Sequence, residues 1–187
     1  MNTPTSSLAS TTWTLDPMHS TVGFSIRHLM ITNVRGEFQT ISGSVRFDAN
    51  HPESTQIEAS IPVASISTRQ EQRDAHLRGA ELFDAEKYPT ATFRSTQARS
   101  AGTGKVEVIG DLTLRGVTRE ITLAVTDVTG EQKDHRGGVR IGATATAKIK
   151  RSDFGMTYNM VLEAGGVALA DEVSLTIDVS LVKSNAA

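Results

Sequence analysis

The sequence predicts an all-β protein, an extended eight-stranded antiparallel barrel with one short helical insert near residues 69–88. Three observations predict it. Apolar and polar residues alternate at every second position along most of the chain, the pattern of strands that bury one face. Clusters of Gly, Pro, Asn and Asp separate these segments where turns are needed. No helical period alternates with the strands, which excludes a parallel α/β architecture.

The strands follow in order. Early segments fall at 12–16, 20–28 and 34–48, the last with a bend placed at Gly36 or Gly43. In "TQIEASIPV" the residues Ile57, Ala59, Ile61 and Val63 share a face, and a further strand follows at 91–99. "KVEVIGDLTLRG" aligns Val106, Val108, Leu112 and Leu114, and "REITLAVTD" aligns Ile121, Leu123 and Val125. "GGVRIGATATAKIK" aligns Val139, Ile141, Ala143, Ala145, Ala147 and Ile149. "EVSLTIDVSLV" aligns Val173, Leu175, Ile177, Val179 and Leu181. The opposite faces carry Thr, Ser, Glu, Arg and Lys. Turns are read at 48–54, 100–104, 115–118 and 130–138. At ~3.3 Å per residue, a strand of about ten residues makes a wall of roughly 33 Å. Eight such strands with one apolar face close into an up-and-down barrel. Its interior is either filled by side chains or holds one small ligand, as in lipocalins. Pattern alone leaves a sandwich open.

The insert breaks the alternation. "TRQE" at 68–71 reads as a capping box between Thr68 and Glu71. Gly79 suits a left-handed residue after the last turn. Asp74 and Arg78 stand four apart with the acid first. These signals predict a helix over 69–78 with Arg73, His76 and Leu77 on one side, and Leu82, Phe83 and Tyr88 anchoring the return. The insert is then either a solvated connector plugging one barrel end or a lid whose Arg73 and His76 face a ligand's polar head.

Composition narrows the function. The chain of 187 residues reads as a flexible tail at 1–11 and one domain at 12–184, 38% hydrophobic and 21% charged. A net charge of −2 does not favour nucleic acid or an anionic membrane surface as a partner. There are no cysteines, so no disulfides and no Cys-ligated metal. No apolar run approaches the ~18 residues of a membrane span, so no stable membrane insertion is expected. The five histidines include no i,i+4 pair and no H-E-x-x-H, so no metal is expected. "RSDFG" at 151–155 is not a nucleophile elbow. A phosphate-binding glycine loop and a pair of carboxylates in an apolar setting are also missing. What remains is a lumen lined by modest aliphatics, which a chain-like ligand would fill.

The chain resembles the YceI-like family of polyisoprenoid-binding, lipocalin-like proteins over nearly all of residues 12–183. The resemblance is carried by "WTLDPMHSTVGFSIRHL" (13–29), "VRGEF" (34–38), "RDAHLRGAELFDAEKYPTATFRST" (73–96), "GDLTLRGVTREITL" (110–123) and "RSDFG" (151–155) in the right order and spacing. It implies an extended barrel, the insert near one end, and a long hydrophobic pore for an isoprenoid or other long amphiphile. It implies no catalysis. The expected function is therefore binding, storage or transport of such a lipid, with the lipid as ligand and no cofactor. The alternative is a hydrolase or isomerase acting on a long-chain lipid. The expected tail contacts are Phe24, Ile26, Phe38, Phe83, Phe93 and Phe154. The expected head-group contacts are Arg27, His28, Arg73 and His76. A homodimer partner is left open. Many relatives look exported; the start of this chain shows no signal segment, so a cytoplasmic location is expected.

Overall fold

The computed structural model describes residues 11–162 and 166–184. The strands are β1 (Thr11–Leu15), β2 (Thr21–His28), β3 (Thr32–Phe38), β4 (Ser42–Phe47), β5 (Gln56–Pro62), β6 (Ile66–Ser67), β7 (Thr90–Ser100), β8 (Val106–Leu114), β9 (Val117–Thr126), β10 (Gln132–Lys133), β11 (Val139–Lys150) and β12 (Leu169–Lys183). Helix α1 (Glu71–Arg78) joins β6 to β7. Short 3₁₀ turns sit at Pro52–Ser54, Val63–Ser65 and Arg151–Phe154.

These strands form a closed eight-stranded antiparallel barrel. The count reconciles because three walls are each two strands placed end to end. β1 and β2 both run along β12, through Trp13 opposite Lys183 and Phe24 opposite Leu175. β4 and β3 continue that division, pairing with β1 and β2 respectively. β5 and β6 repeat it against β4 and β3. Then β7, β8, β9 and β11 follow as a meander, and β12 closes the ring with Ala145 opposite Ile177. The sandwich is thereby excluded. β10 is a short hairpin partner of β11 within the stretch read as a turn at 130–138.

The structure corrects several local expectations. The segment 34–48 does bend, but between Phe38 and Ser42 rather than at either glycine. Ile41, at the bend, turns inward and is buried, so the corner is set by an apolar anchor. Gly36 and Gly43 serve close approach instead. A Cβ on Gly36 would collide with the Phe24 ring, and one on Gly43 with the Glu58 backbone carbonyl. Thr11 is already strand, opposite Phe47; the rest of the tail read at 1–11 lies outside the described residues.

The helix starts later than read, at Glu71, and its N-cap is Gln70, whose side chain accepts from the Arg73 N–H. Thr68 does not cap. It is buried, and both its N–H (2.8 Å) and its hydroxyl (2.5 Å) donate to Asp74 Oδ1. Asp74 is thus committed inward rather than to Arg78, whose guanidinium donates to the Ile66 carbonyl at 3.4 Å. Gly79 is extended, with φ −68° and ψ 168°, not left-handed.

The β2–β3 connection is a tight turn in which two non-glycine residues, Leu29 (φ 51°) and Met30 (φ 56°), are left-handed. The Ile31 N–H donates to the His28 carbonyl across it at 3.0 Å. That conformation costs an L-residue ~1–2 kcal/mol, and Asn-Gly is its usual occupant.

Candidate functional site

The barrel encloses a cavity of about 160 Å³. Its wall is contributed by inward residues of nearly every strand, among them Val45, Ile57, Val108, Leu123, Ile141 and Ile177. Thr55 is the one polar lining residue among the described residues, and its hydroxyl is spent on the Pro52 carbonyl at 2.6 Å. The space exists because Ala59, Ala143 and Ala145 stand where larger side chains would meet across the lumen. On β12 the lining runs from Leu175 to Leu181, a wall of ~20 Å at ~3.3 Å per residue. It therefore occupies the middle of the barrel and the end away from α1.

The other end is filled. Phe154 is 1% exposed and packs with Val63, Ala91, Leu114, Ile149 and Met156. Beside this plug, the Phe38 ring lies 5.9 Å from both Phe24 and Phe83. Arg151, buried, ties the plug down by donating to the carbonyls of Ala170 (3.0 Å), Met156 (2.6 Å) and Tyr158 (2.8 Å). Burial disfavours its charged form and lowers its pKa. Ser152 donates its N–H and hydroxyl to Asp171, and Gly155 takes the left-handed conformation that ends the turn. Arg115 spans the rim, donating to Gly155 and Ala80 carbonyls, each at 2.9 Å. Tyr88 lies over Gly116, where a Cβ would stand 2.6 Å from the ring. The motifs "ELFDAEKYP", "GDLTLRG" and "RSDFG", far apart in sequence, thus meet to close one end.

The expected ligand contacts separate accordingly. Phe93 lines the cavity. Phe24, Phe38 and Phe83 form the aromatic cluster, and Phe154 is the plug. Ile26 is half-buried on β2, between Val34 and Val173. Arg27 is exposed and donates to the Met30 carbonyl at 3.1 Å. His28 ends β2, half-buried, opposite Thr32 and Leu169. Arg73 folds back on Thr68, reaching its hydroxyl at 2.7 Å and its carbonyl at 2.9 Å. His76 is exposed: its ring meets Tyr158 edge-on at 4.9 Å, and Nε2 pairs with Glu81 at 3.1 Å. None of these four polar residues lines the cavity. The lining that sequence reasoning did not single out includes Leu15, Ile41, Phe47 and Val128. Alternation was the available signal for Leu15 and for Ile41 and Phe47, which share a face with Val45; Val128 lies outside any strand, where alternation gives no signal.

Among the described residues no group of His, Asp or Glu is arranged to hold a metal ion, and no helix is long and apolar enough to cross a membrane. A closed antiparallel barrel around an apolar cavity, plugged at one end, defines a lipocalin-like lumenal barrel. Within that class the chain belongs to the YceI-like family: the YceI-like domain model matches residues 13–181. A UPF0312 protein of Photorhabdus laumondii is 42% identical over 136 residues, covering 73% of this chain and 70% of its own. The crystal structure of Burkholderia cenocepacia BcnA superposes with a TM-score of 0.78 at 26% identity, covering 89% of this chain and 98% of that one. A polyisoprenoid binding domain from Saccharophagus degradans shares the fold, with a TM-score of 0.66 at 18% identity over 92% of this chain and 98% of that one.

Proposed function

We propose that this protein binds the hydrocarbon chain of a long isoprenoid or similar amphiphile in its lumen, and stores or carries it. The observation that supports this reading is an apolar cavity inside the barrel whose one polar lining group among the described residues is already satisfied. A void of about 160 Å³ forfeits contacts on the order of 4 kcal/mol at ~24 cal/mol per Å³. A chain restores them, each buried CH₂ contributing ~0.8 kcal/mol gross. The open volume takes a short segment as it stands; a longer chain needs the flexible aliphatic side chains of the lining to change rotamer. Because Phe154 and the aromatic cluster fill the helix end, the chain enters from the opposite end and leaves its head group at that rim. That places the head away from Arg73 and His76. The Saccharophagus neighbour, described as polyisoprenoid-binding, agrees with this choice of ligand class. The lining supplies no acid, base or activated nucleophile among the described residues, which favours carriage over turnover.

The test is displacement of a fluorescent lipid probe by acyl and prenyl chains of increasing length. Affinity should climb with length and level off once the chain exceeds the ~20 Å of open wall. Ala145→Leu, which fills the cavity, should weaken binding on the order of tenfold or more while leaving the melting temperature unchanged or raised. Affinity indifferent to length, or an Ala145→Leu protein that binds like wild type, would refute the lumen as the site.

A further inference from the structure

The strand pair that lines the lumen with Leu15 and Leu181 continues one inward step further, to Trp13 on β1 and Lys183 on β12, which stand directly opposite each other. Paired residues project from the same face of a sheet. Both side chains therefore turn inward, roughly 7 Å nearer the end away from α1 at ~3.3 Å per residue. The Trp13 ring is 2% exposed and clusters with Leu15, Ile41, Ile141 and Leu181, all of them cavity lining. It forms the layer between the open volume and the mouth through which the chain enters. Its indole Nε1–H is buried and has no acceptor among the described residues. Tryptophan carries no other polar atom, so nothing offsets the loss of water from this donor. The other buried side-chain nitrogen without a partner among the described residues, Arg115 Nε, belongs to a guanidinium that already donates twice. Beside the indole, the Lys183 ammonium sits 5.6 Å from the ring centroid and pairs with Glu131 at 2.8 Å. Glu131 lies on the connection from β9 to β11, just past Val128, which lines the cavity.

We infer that this mouth seats the ligand's head group, and that the head is an uncharged oxygen, a hydroxyl or a carbonyl, that accepts the Trp13 indole N–H. This assignment rests on the lumenal reading above and adds to it the chemistry of the head. Two observations choose the class. The orphan group is a donor with no acceptor capacity, so its partner must bring an oxygen lone pair. The one cation beside it, Lys183, is already neutralised by Glu131. A carboxylate or phosphate seated here would lose its water and lie against that acid, whereas an uncharged oxygen avoids the repulsion and the larger desolvation cost. The hydrocarbon then runs from Trp13 past Leu15 and Leu181 into the apolar volume, so head and tail follow one continuous inward face.

Trp13 is the single tryptophan of the chain, so one indole N–H signal in a proton–nitrogen correlation spectrum reports the site in the unaltered protein. Decyl alcohol, or a methyl ketone of equal length, should move that signal downfield; decane should not. In displacement of the fluorescent lipid probe, Trp13→Phe should weaken the alcohol and the ketone on the order of tenfold and leave decane within about twofold. Decanoate should bind more weakly than decyl alcohol, and Glu131→Gln should narrow that gap. The head-group assignment is overturned if the indole signal ignores the alcohol and the ketone or responds equally to decane. It is also overturned if Trp13→Phe weakens decane as much as the alcohol, or if decanoate binds more tightly than the alcohol. Decane separates the two readings. If decane displaces the probe and Trp13 does not discriminate, the lumen stands and the head-group assignment alone falls. If no chain displaces the probe, the lumenal reading falls and the assignment with it.

Discussion

The Phe93 ring occupies the space that a side chain on Gly110 would need: a Cβ there would stand 2.6 Å from the Phe93 Cζ. Gly110 and Phe93 lie on paired strands, β8 and β7, with Leu112 directly opposite Phe93. The glycine therefore lets Phe93 lie flat along the wall and keeps the lumen open.

Gly110→Ala should push Phe93 into the cavity and crowd the Arg94 carbonyl, 2.5 Å from the new Cβ. The expected cost is ~1–3 kcal/mol, read as a shift in urea midpoint, together with weaker displacement of the lipid probe. A variant with wild-type stability and wild-type probe affinity would show that Phe93 does not gate the open volume.

Helix α1 is held by Thr68 and Asp74 rather than by a Thr68 cap. Thr68→Ala leaves the buried Asp74 with one donor fewer and the Arg73 Nε without its 2.7 Å partner, an expected loss of ~1–3 kcal/mol. Thr68→Ser keeps the hydroxyl and should retain most of it. Urea denaturation decides: if the Ala and Ser variants unfold at the same denaturant concentration, the hydroxyl does not hold the insert.

Arg140 joins two carboxylates across the end opposite α1, reaching Asp16 at 2.5 Å and Asp134 at 2.8 Å. Its hydrogen bond, aided by the Arg136 and Gly138 N–H groups, lowers Asp134 from 3.8 to about 2. The same guanidinium, with His19, holds Asp16 well below the usual carboxylate range. Both folded-state values lie below the unfolded ones. The stability they contribute is therefore present above about pH 4 and lost as pH falls toward 2. Arg140→Met should flatten that part of the stability-versus-pH curve; an unchanged acid slope in urea titrations would remove this network from the acid response.

Much of the fold was legible because each strand shows a buried face in its own residues. Where a local competition existed, the reading slipped. Thr68 and Gln70 both suit a helix start, and only the burial of Asp74 decides that Thr68 turns inward. On β7 the inward face changes parity, from Phe93 to Ala98, because a bulge falls between Ser95 and Gln97; nothing in the alternation announces it. The sequence marks aromatic residues as candidate contacts by their size alone. In the folded chain most of those rings fill space and the alanines leave it.

What the sequence by itself determined is local: which residues alternate, where the chain turns, and that one charged insert is not wall. Each follows from backbone geometry and hydrophobic period within a short window. Only the tertiary structure decided which half of the lumen stays open and which is plugged. That outcome depends on the side-chain volumes of all eight walls summed at each level of the barrel. It also depends on Arg115 and Arg151 linking carbonyls many residues apart, a sum that exists only once the ring has closed.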